Sequence, residues 1–228
     1  LEFRRVLFRS GTTHTDSLAM EKQRGISVKA AEIDLTYKET NIHVIDTPGH
    51  IDFSSEVERS IGVLDGAIVV LSSVEGVQPQ TEVYFNALKE LNTPSIFFIN
   101  KLDRIGASPY KTTKDMKKLL TTKLIPLQLV YEKDNEFIVC NIFDQINYTK
   151  NILEIQEESY KQLLEDIIDM LGDNNVEILN HFFDGTLTLG MIKDEISLQA
   201  IKGKIYPVLY GTARSEEHTS ELQSPIRS

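Results

Sequence analysis

The sequence predicts an α/β protein: a mostly parallel sheet covered by helices, with an inserted α+β subdomain. Three observations predict it. Strand-like and helix-like segments alternate along the chain. Two of the strand-like segments, GAIVVLSS (66–73) and SIFFINK (95–101), are nearly continuous apolar runs, as in strands buried on both faces. Polar clusters stand directly after strand-like segments: DTPGH after 42–45, NKLD after 95–99 and GTA after 204–210. Open α/β sheets bind ligands there, outside the carboxyl ends of their strands.

The elements follow in order. AEIDLTY (31–37) alternates with period two, and NIHVID (41–46) is short and mostly apolar, so both read as strands. FSSEVERSIGVL (53–64) has helical spacing. TEVYFNALKEL (81–91) carries an apolar stripe and is stopped by Asn92-Thr93-Pro94. YKTTKDMKKLLTTKL (110–124) reads as a further helix and KIYPVLYG (204–211) as a last strand. Between them the alternation is interrupted over about 125–200. LIPLQLVY and EFIVCNIF bracket Lys133-Asp134-Asn135 and read as a hairpin. IQEESYKQLLEDIIDML and VEILNHFF read as acidic amphipathic helices of the insert.

Composition bounds the function. At 228 residues the chain can bury a sizeable core. Hydrophobic residues make up 41% and charged residues 25%, which excludes a disordered or fibrous chain. No apolar run approaches the roughly 20 residues of a membrane span. The single cysteine, Cys140, excludes an intramolecular disulfide and fits a reducing cytoplasm. Its apolar neighbours make it a buried thiol rather than a nucleophile. Of the formal charge of −10, the stretch 151–195, with eleven acids and two lysines, carries −9. There is no basic footprint of the kind that sequence-specific nucleic-acid recognition needs. Residues 1–10 (LEFRRVLFRS) and 214–228 (RSEEHTSELQSPIRS) do not continue the periodicity beside them. They are expected to be non-native scars flanking a domain of 11–213.

The polar clusters suggest phosphate and base chemistry. An aspartate at a strand end can hold Mg²⁺, usually through water. The glycine of a Pro-Gly turn lets a backbone N–H approach a phosphate oxygen. A following histidine can orient a water. DxxG alone is a short pattern, common at strand-ending turns. Asn100-Lys101-Leu102-Asp103 is more telling. A carboxylate can accept from guanine N1–H and N2–H, a donor pair that adenine lacks. An asparagine can reach N7, and a lysine stem can lie over the base. Gly211-Thr212-Ala213 can present backbone N–H groups to the guanine O6.

Order and spacing, with 54 residues from DTPG to NKLD, carry the specificity. With RGIS (24–27), DTPGHIDFSSEVERSIGVLDGAIVV (46–70), GVQPQTE (76–82) and NKLDRIGA (100–107), the chain resembles the translational GTPases over about 11–213. PLQL (126–129) and the acidic helices resemble elongation factor G, and GTTHTDSLAMEKQRGIS (11–27) the tetracycline-resistance ribosomal protection proteins. The resemblance implies a P-loop-NTPase-like G domain that binds and hydrolyses GTP with Mg²⁺. It implies Asp46 as the Mg²⁺-water carboxylate and Ser27 as a hydroxyl ligand of the metal. Within Asp46-Thr47-Pro48-Gly49-His50, Gly49 would meet the γ-phosphate and His50 would orient the attacking water, with Ile26 as an apolar gate. Asn100, Lys101 and Asp103, with Leu102 between them, would read guanine, and Thr212 and Ala213 would complete the pocket.

The implied partner is the ribosome, with the acidic insert offering a surface to a ribosomal stalk protein. No membrane is implied, and the compartment is cytoplasmic. One departure is severe: no G-x-x-x-x-G-K-[ST] stands in the 228 residues. The expectation is a truncated domain lacking its first strand and P-loop. The rival is therefore a non-catalytic fragment, inactive as it stands and at most a protein-binding module.

Overall fold

The structure, a computed structural model, describes residues 31–47, 54–133, 136–143 and 157–212. The chain divides into two compact units at Leu64 and Asp65.

In the first unit, β1 (Ala31–Tyr37) and β2 (Thr40–Asp46) form an antiparallel hairpin, with Ala31 opposite Asp46 and Tyr37 opposite Thr40. Two residues join them. A two-residue connection must return antiparallel, and the favoured turn places both central residues in the left-handed region. Lys38 and Glu39 adopt φ of 44° and 65°. Neither is the glycine or asparagine such a turn prefers, so the hairpin forms despite its turn. Cross-strand pairs offset this: Thr36 Oγ1 donates to Asn41 Oδ1 at 3.0 Å, and His43 Nδ1 meets Asp34 Oδ1 at 2.5 Å. Helix α1 (Ser54–Ile61) closes the described part of this unit and buries Val57 and Ile61.

The second unit is built on a four-stranded, all-parallel sheet. β3 (Ala67–Ser72), β4 (Ser95–Asn100), β5 (Leu124–Pro126) and β8 (Tyr206–Tyr210) lie in the order β3, β4, β8, β5. Parallel neighbours need crossovers, and helices supply them. Helix α2 (Pro79–Glu90) links β3 to β4, and α3 (Pro109–Leu119) leads from β4 towards β5. Each starts with a proline in its first turn, where no N–H is needed. Helix α2 ends because Asn92 turns left-handed at φ 55° and Pro94 follows.

Two expectations are corrected here. The helix foreseen over 110–124 stops at Leu119. Leu124–Pro126 instead pair with Tyr206–Val208, and Tyr206 N–H donates to the Lys123 carbonyl at 2.8 Å. LIPLQLVY, expected as one strand of the hairpin, is thus split: Leu124–Pro126 join β8 in the parallel sheet, and only Gln128–Lys133 pair with Glu136–Asn141. The excursion between β5 and β8 thus opens with the hairpin of β6 (Gln128–Lys133) and β7 (Glu136–Asn141). The run at 66–73 was also expected to be buried on both faces. Val69 and Leu71 face the core, but Ile68 and Val70 are 70% and 59% exposed. Among the described residues, β3 pairs only with β4.

The sheet's core is aromatic. Phe97 on β4, Phe85 on α2 and Tyr206 on β8 form a triangle, with ring centroids 5.0, 4.9 and 6.2 Å apart. Edge-to-face contacts of this kind add about 0.5–1.5 kcal/mol to area burial. A second core lies under the excursion. Helices α4 (Glu157–Gly172), α5 (Val176–Phe183) and α6 (Leu189–Ile201) bury Ile167, Leu171, Ile178 and Ile192, and Ile125 and Ile205 join them from the sheet's side. Two caps order these helices: Asn175 Oδ1 accepts from Glu177 N–H, and Thr188 Oγ1 from Met191 N–H. Among the described residues no helix is long and apolar enough to cross a membrane.

The strained turn yields a test. A non-glycine residue in the left-handed region costs about 1–2 kcal/mol. Lys38→Asn combined with Glu39→Gly is expected to stabilise the hairpin by about 1 kcal/mol or more. Amide hydrogen exchange across β1 and β2 should slow about fivefold or more. Unchanged exchange would show that the turn is not the weak point of the hairpin.

Candidate functional site

Because β3, β4 and β8 run parallel, their carboxyl ends lie on one side of the sheet. The register sets Ser72 beside Asn100 and Ile99 beside Tyr210. Three loops leave together there: 73–78, 101–108 and the segment beginning at Gly211.

The middle loop is held at both ends by one residue. Ser73 N–H donates to the Asn100 carbonyl at 2.8 Å, and the Ser73 carbonyl accepts from Ser108 N–H at 2.9 Å. Thr112 Oγ1, in the first turn of α3, also donates to the Ser73 carbonyl at 3.4 Å. Within the loop, Asn100 Oδ1 accepts from Lys101 N–H at 2.7 Å, and Lys101 sits left-handed at φ 65°. A lysine there is strained, and such strain gathers at functional sites. Leu102 is 6% exposed and packs into the sheet core, so its side chain anchors the loop from below. Asp103, one residue on, is exposed. Arg104 N–H donates to the Lys101 carbonyl at 3.2 Å, and Gly106, at φ 85°, turns the chain back towards α3. A buried leucine thus holds down a loop that lifts an asparagine, a lysine and an aspartate above the strand ends.

The third loop comes close. Gly211 N–H donates to the Ile99 carbonyl at 3.0 Å. A Cβ at Gly211 would stand 2.8 Å from Cζ of Phe98, so a larger residue there would have to push the Phe98 ring aside. Thr212, next in the chain, is half-buried. Asn100, Lys101, Asp103 and the 211–212 backbone therefore converge on the carboxyl ends of two paired strands.

The charges have a partner that the sequence did not single out. Lys101 Nζ lies 3.2 Å from Oε2 and 3.4 Å from Oε1 of Glu75, in the neighbouring loop. The Ser72 hydroxyl, and then the Lys101 ammonium, hold the Glu75 carboxyl below the usual carboxylate range. The available signal was an acid three residues past the end of an apolar strand, next to GVQPQTE.

The remaining expected residues fall elsewhere. Asp46 ends β2 with its carboxylate exposed, and Thr47 follows half-buried; both belong to the first unit. Ile26, Ser27, Pro48, Gly49, His50 and Ala213 lie outside the described residues. Among the described residues, no three His, Cys, Asp or Glu side chains gather as a metal cluster.

Comparison with known proteins now places the chain. The family model of the elongation factor Tu GTP binding domain matches residues 4–226. The tetracycline resistance protein TetP of Clostridium perfringens is 39% identical over 204 residues, covering 89% of this chain and 29% of that protein. An oxytetracycline resistance protein of Streptomyces rimosus is 33% identical, covering 96% of this chain and 31% of the relative. Elongation factor G 2 of Borreliella afzelii is 36% identical, covering 90% and 33%. The chain thus spans about a third of the length of the curated relatives it matches. A crystal structure of a Thermus thermophilus protein superposes with a TM-score of 0.75 at 19% identity, covering 93% of this chain and 34% of that one, which shows a shared fold. The chain belongs to the family of the elongation factor Tu GTP-binding domain, as an α/β G domain akin to those of elongation factor G and the tetracycline resistance proteins.

Proposed function

We propose that this domain binds guanine nucleotide through the loop Asn100-Lys101-Leu102-Asp103 and serves GTP hydrolysis in a ribosome-associated translation factor. The observation that carries the reading is the convergence of that loop with Gly211 and Thr212 at the carboxyl ends of β4 and β8. The donor set fits the base. An exposed carboxylate can take both N1–H and N2–H of guanine, each charge-assisted bond worth about 1.5–3 kcal/mol. The lysine stem offers an apolar surface, and Ala213 N–H with Thr212 would complete the pocket.

The phosphate and metal roles rest on the motif. Asp46 would hold Mg²⁺ through water and Ser27 through its hydroxyl, a sparse ligand set that suits an ion which keeps most of its waters. Bound Mg²⁺ would neutralise charge on the phosphates. Thr47, Pro48 and Gly49 would form the turn that meets the γ-phosphate, His50 would orient the attacking water, and Ile26 would shield it. Catalysis would be positioning and charge stabilisation. Kinship with both elongation factor G and tetracycline resistance proteins supports the ribosome as partner, hence work in the cytoplasm. The acidic helices α4 and α5 suit a ribosomal stalk protein. A second reading has its own observation: the 228 residues contain no G-x-x-x-x-G-K-[ST]. Such a segment supplies most of a phosphate cradle. The chain by itself would then bind the base weakly and turn over nothing.

Two outcomes follow. In the 228-residue chain titrated with millimolar nucleotide and followed by NMR, Asp103→Asn should abolish the saturable response to GMP and create one to XMP. The loss should be about 10²-fold or more, as for a site left with an unpaired polar group. A GMP response unchanged in the variant would sink the assignment of the loop. In a ribosome-stimulated GTPase carrying this domain, His50→Ala should lower kcat about 10²-fold or more with nucleotide affinity near that of the parent. Hydrolysis at the parental rate would make His50 a turn residue only.

A further inference from the structure

Lys101 is the weak member of the base-reading loop on physical grounds. Its stem has four rotatable bonds, and fixing such a side chain costs up to about 2 kcal/mol of rotamer entropy. A lysine that must present its methylenes to a base therefore benefits from being held in advance. The ion pair to Glu75 crosses from the β4–α3 loop to the β3–α2 loop and joins both carboxylate oxygens to Nζ. Glu75 is itself well seated. Its N–H and that of Val74 donate to Ser72 Oγ, both at 3.3 Å, and its carbonyl accepts from Gln78 Nε2 at 3.1 Å. Gly76 N–H closes the turn on the Ser72 carbonyl at 2.8 Å, with Gly76 at φ 71°. The depressed carboxyl keeps Glu75 ionised at neutral pH.

We propose that Glu75 is a positioning residue for guanine recognition: it pins the Lys101 ammonium so that the stem stands ready beside the base, without touching nucleotide itself. This rests on the reading of Asn100-Lys101-Leu102-Asp103 as the guanine site. As a contributor to folding stability the pair is negligible, because its side chains are 45% and 56% exposed. Its effect belongs to binding, where preorganisation lowers the cost of ordering.

The test is a double-mutant cycle on the 228-residue chain, with GMP affinity read from NMR titration and folding from the urea midpoint. Glu75→Gln should weaken GMP about three- to tenfold and leave the urea midpoint unchanged. Lys101→Gln should weaken it at least as much. The double variant should be no worse than Lys101→Gln alone, because Glu75 acts only through Lys101. Asp103→Asn is run alongside. If Asp103→Asn loses GMP while Glu75→Gln binds like the parent, the guanine site stands and this proposal falls. If Asp103→Asn binds like the parent, the guanine site itself falls and Glu75 with it. Additive losses in the double variant, or a lowered urea midpoint in Glu75→Gln, would give Glu75 a role of its own and overturn the proposal.

Discussion

Ser73 donates one backbone hydrogen bond and accepts another, and through them it sets the mouth of the loop at 101–108. Its N–H fixes the exit from β4 at Asn100, and its carbonyl fixes the entry to α3 at Ser108. Both ends of the loop are hydrogen-bonded to Ser73, which sets where Asn100, Lys101 and Asp103 stand relative to the sheet. Ser73 can do this because β3 and β4 are parallel and in register from Ala67 beside Ser95 to Ser72 beside Asn100. Below it, the aromatic triangle of Phe85, Phe97 and Tyr206 packs α2 and β8 against β4. The chain of cause runs from an apolar strand pattern, through parallel register, to the placement of three polar side chains.

Much of this was legible in the sequence. The alternation of strands and helices, a hairpin about Lys133-Asp134-Asn135 and the acidic helices follow from local pattern. The loop proposed to read the base was expected from its residue chemistry at a strand end, from its spacing to DTPG and from the resemblance these carry. Local pattern did not reveal long-range competition. LIPLQLVY reads as one strand of a hairpin, and only Tyr206–Val208, some eighty residues on, draw Leu124–Pro126 into the parallel sheet instead. Lys38 and Glu39 carry no turn signal, and the hairpin's pairing alone puts them in left-handed conformations. Within the site, Asp103 is visible from its motif. Glu75 is not, because the role proposed for it depends on Lys101, twenty-six positions away, reaching back across the sheet end. The expected roles of Ile26, Ser27, Pro48, Gly49, His50 and Ala213 lie outside the described residues.

The excursion between β5 and β8 is a second packing solution attached to the first. Ile125 and Ile205 sit at the two points where the chain leaves and rejoins the sheet, and both are buried in the helical core. Gln199 is buried with them and satisfied on both sides. Its Nε2 donates to the Leu171 carbonyl at 2.9 Å, and its Oε1 accepts from Asn174 Nδ2 at 3.0 Å. Apolar contact and a closed polar clamp fix α4 against α6. The exposed acids of α4, Glu165, Asp166 and Asp169, thus stand on a folded support.

Base discrimination by the unaltered chain bears most directly on this account. NMR signals of Lys101, Asp103, Gly211 and Thr212 should be followed while the protein is titrated with millimolar GMP, IMP and AMP in turn. GMP should move all four sets of signals. IMP, lacking the 2-amino donor, should move them more weakly, and AMP, which offers neither donor to Asp103, should leave them in place. Equal responses to AMP and GMP, or none to GMP, would contradict a guanine-reading loop at the carboxyl ends of β4 and β8.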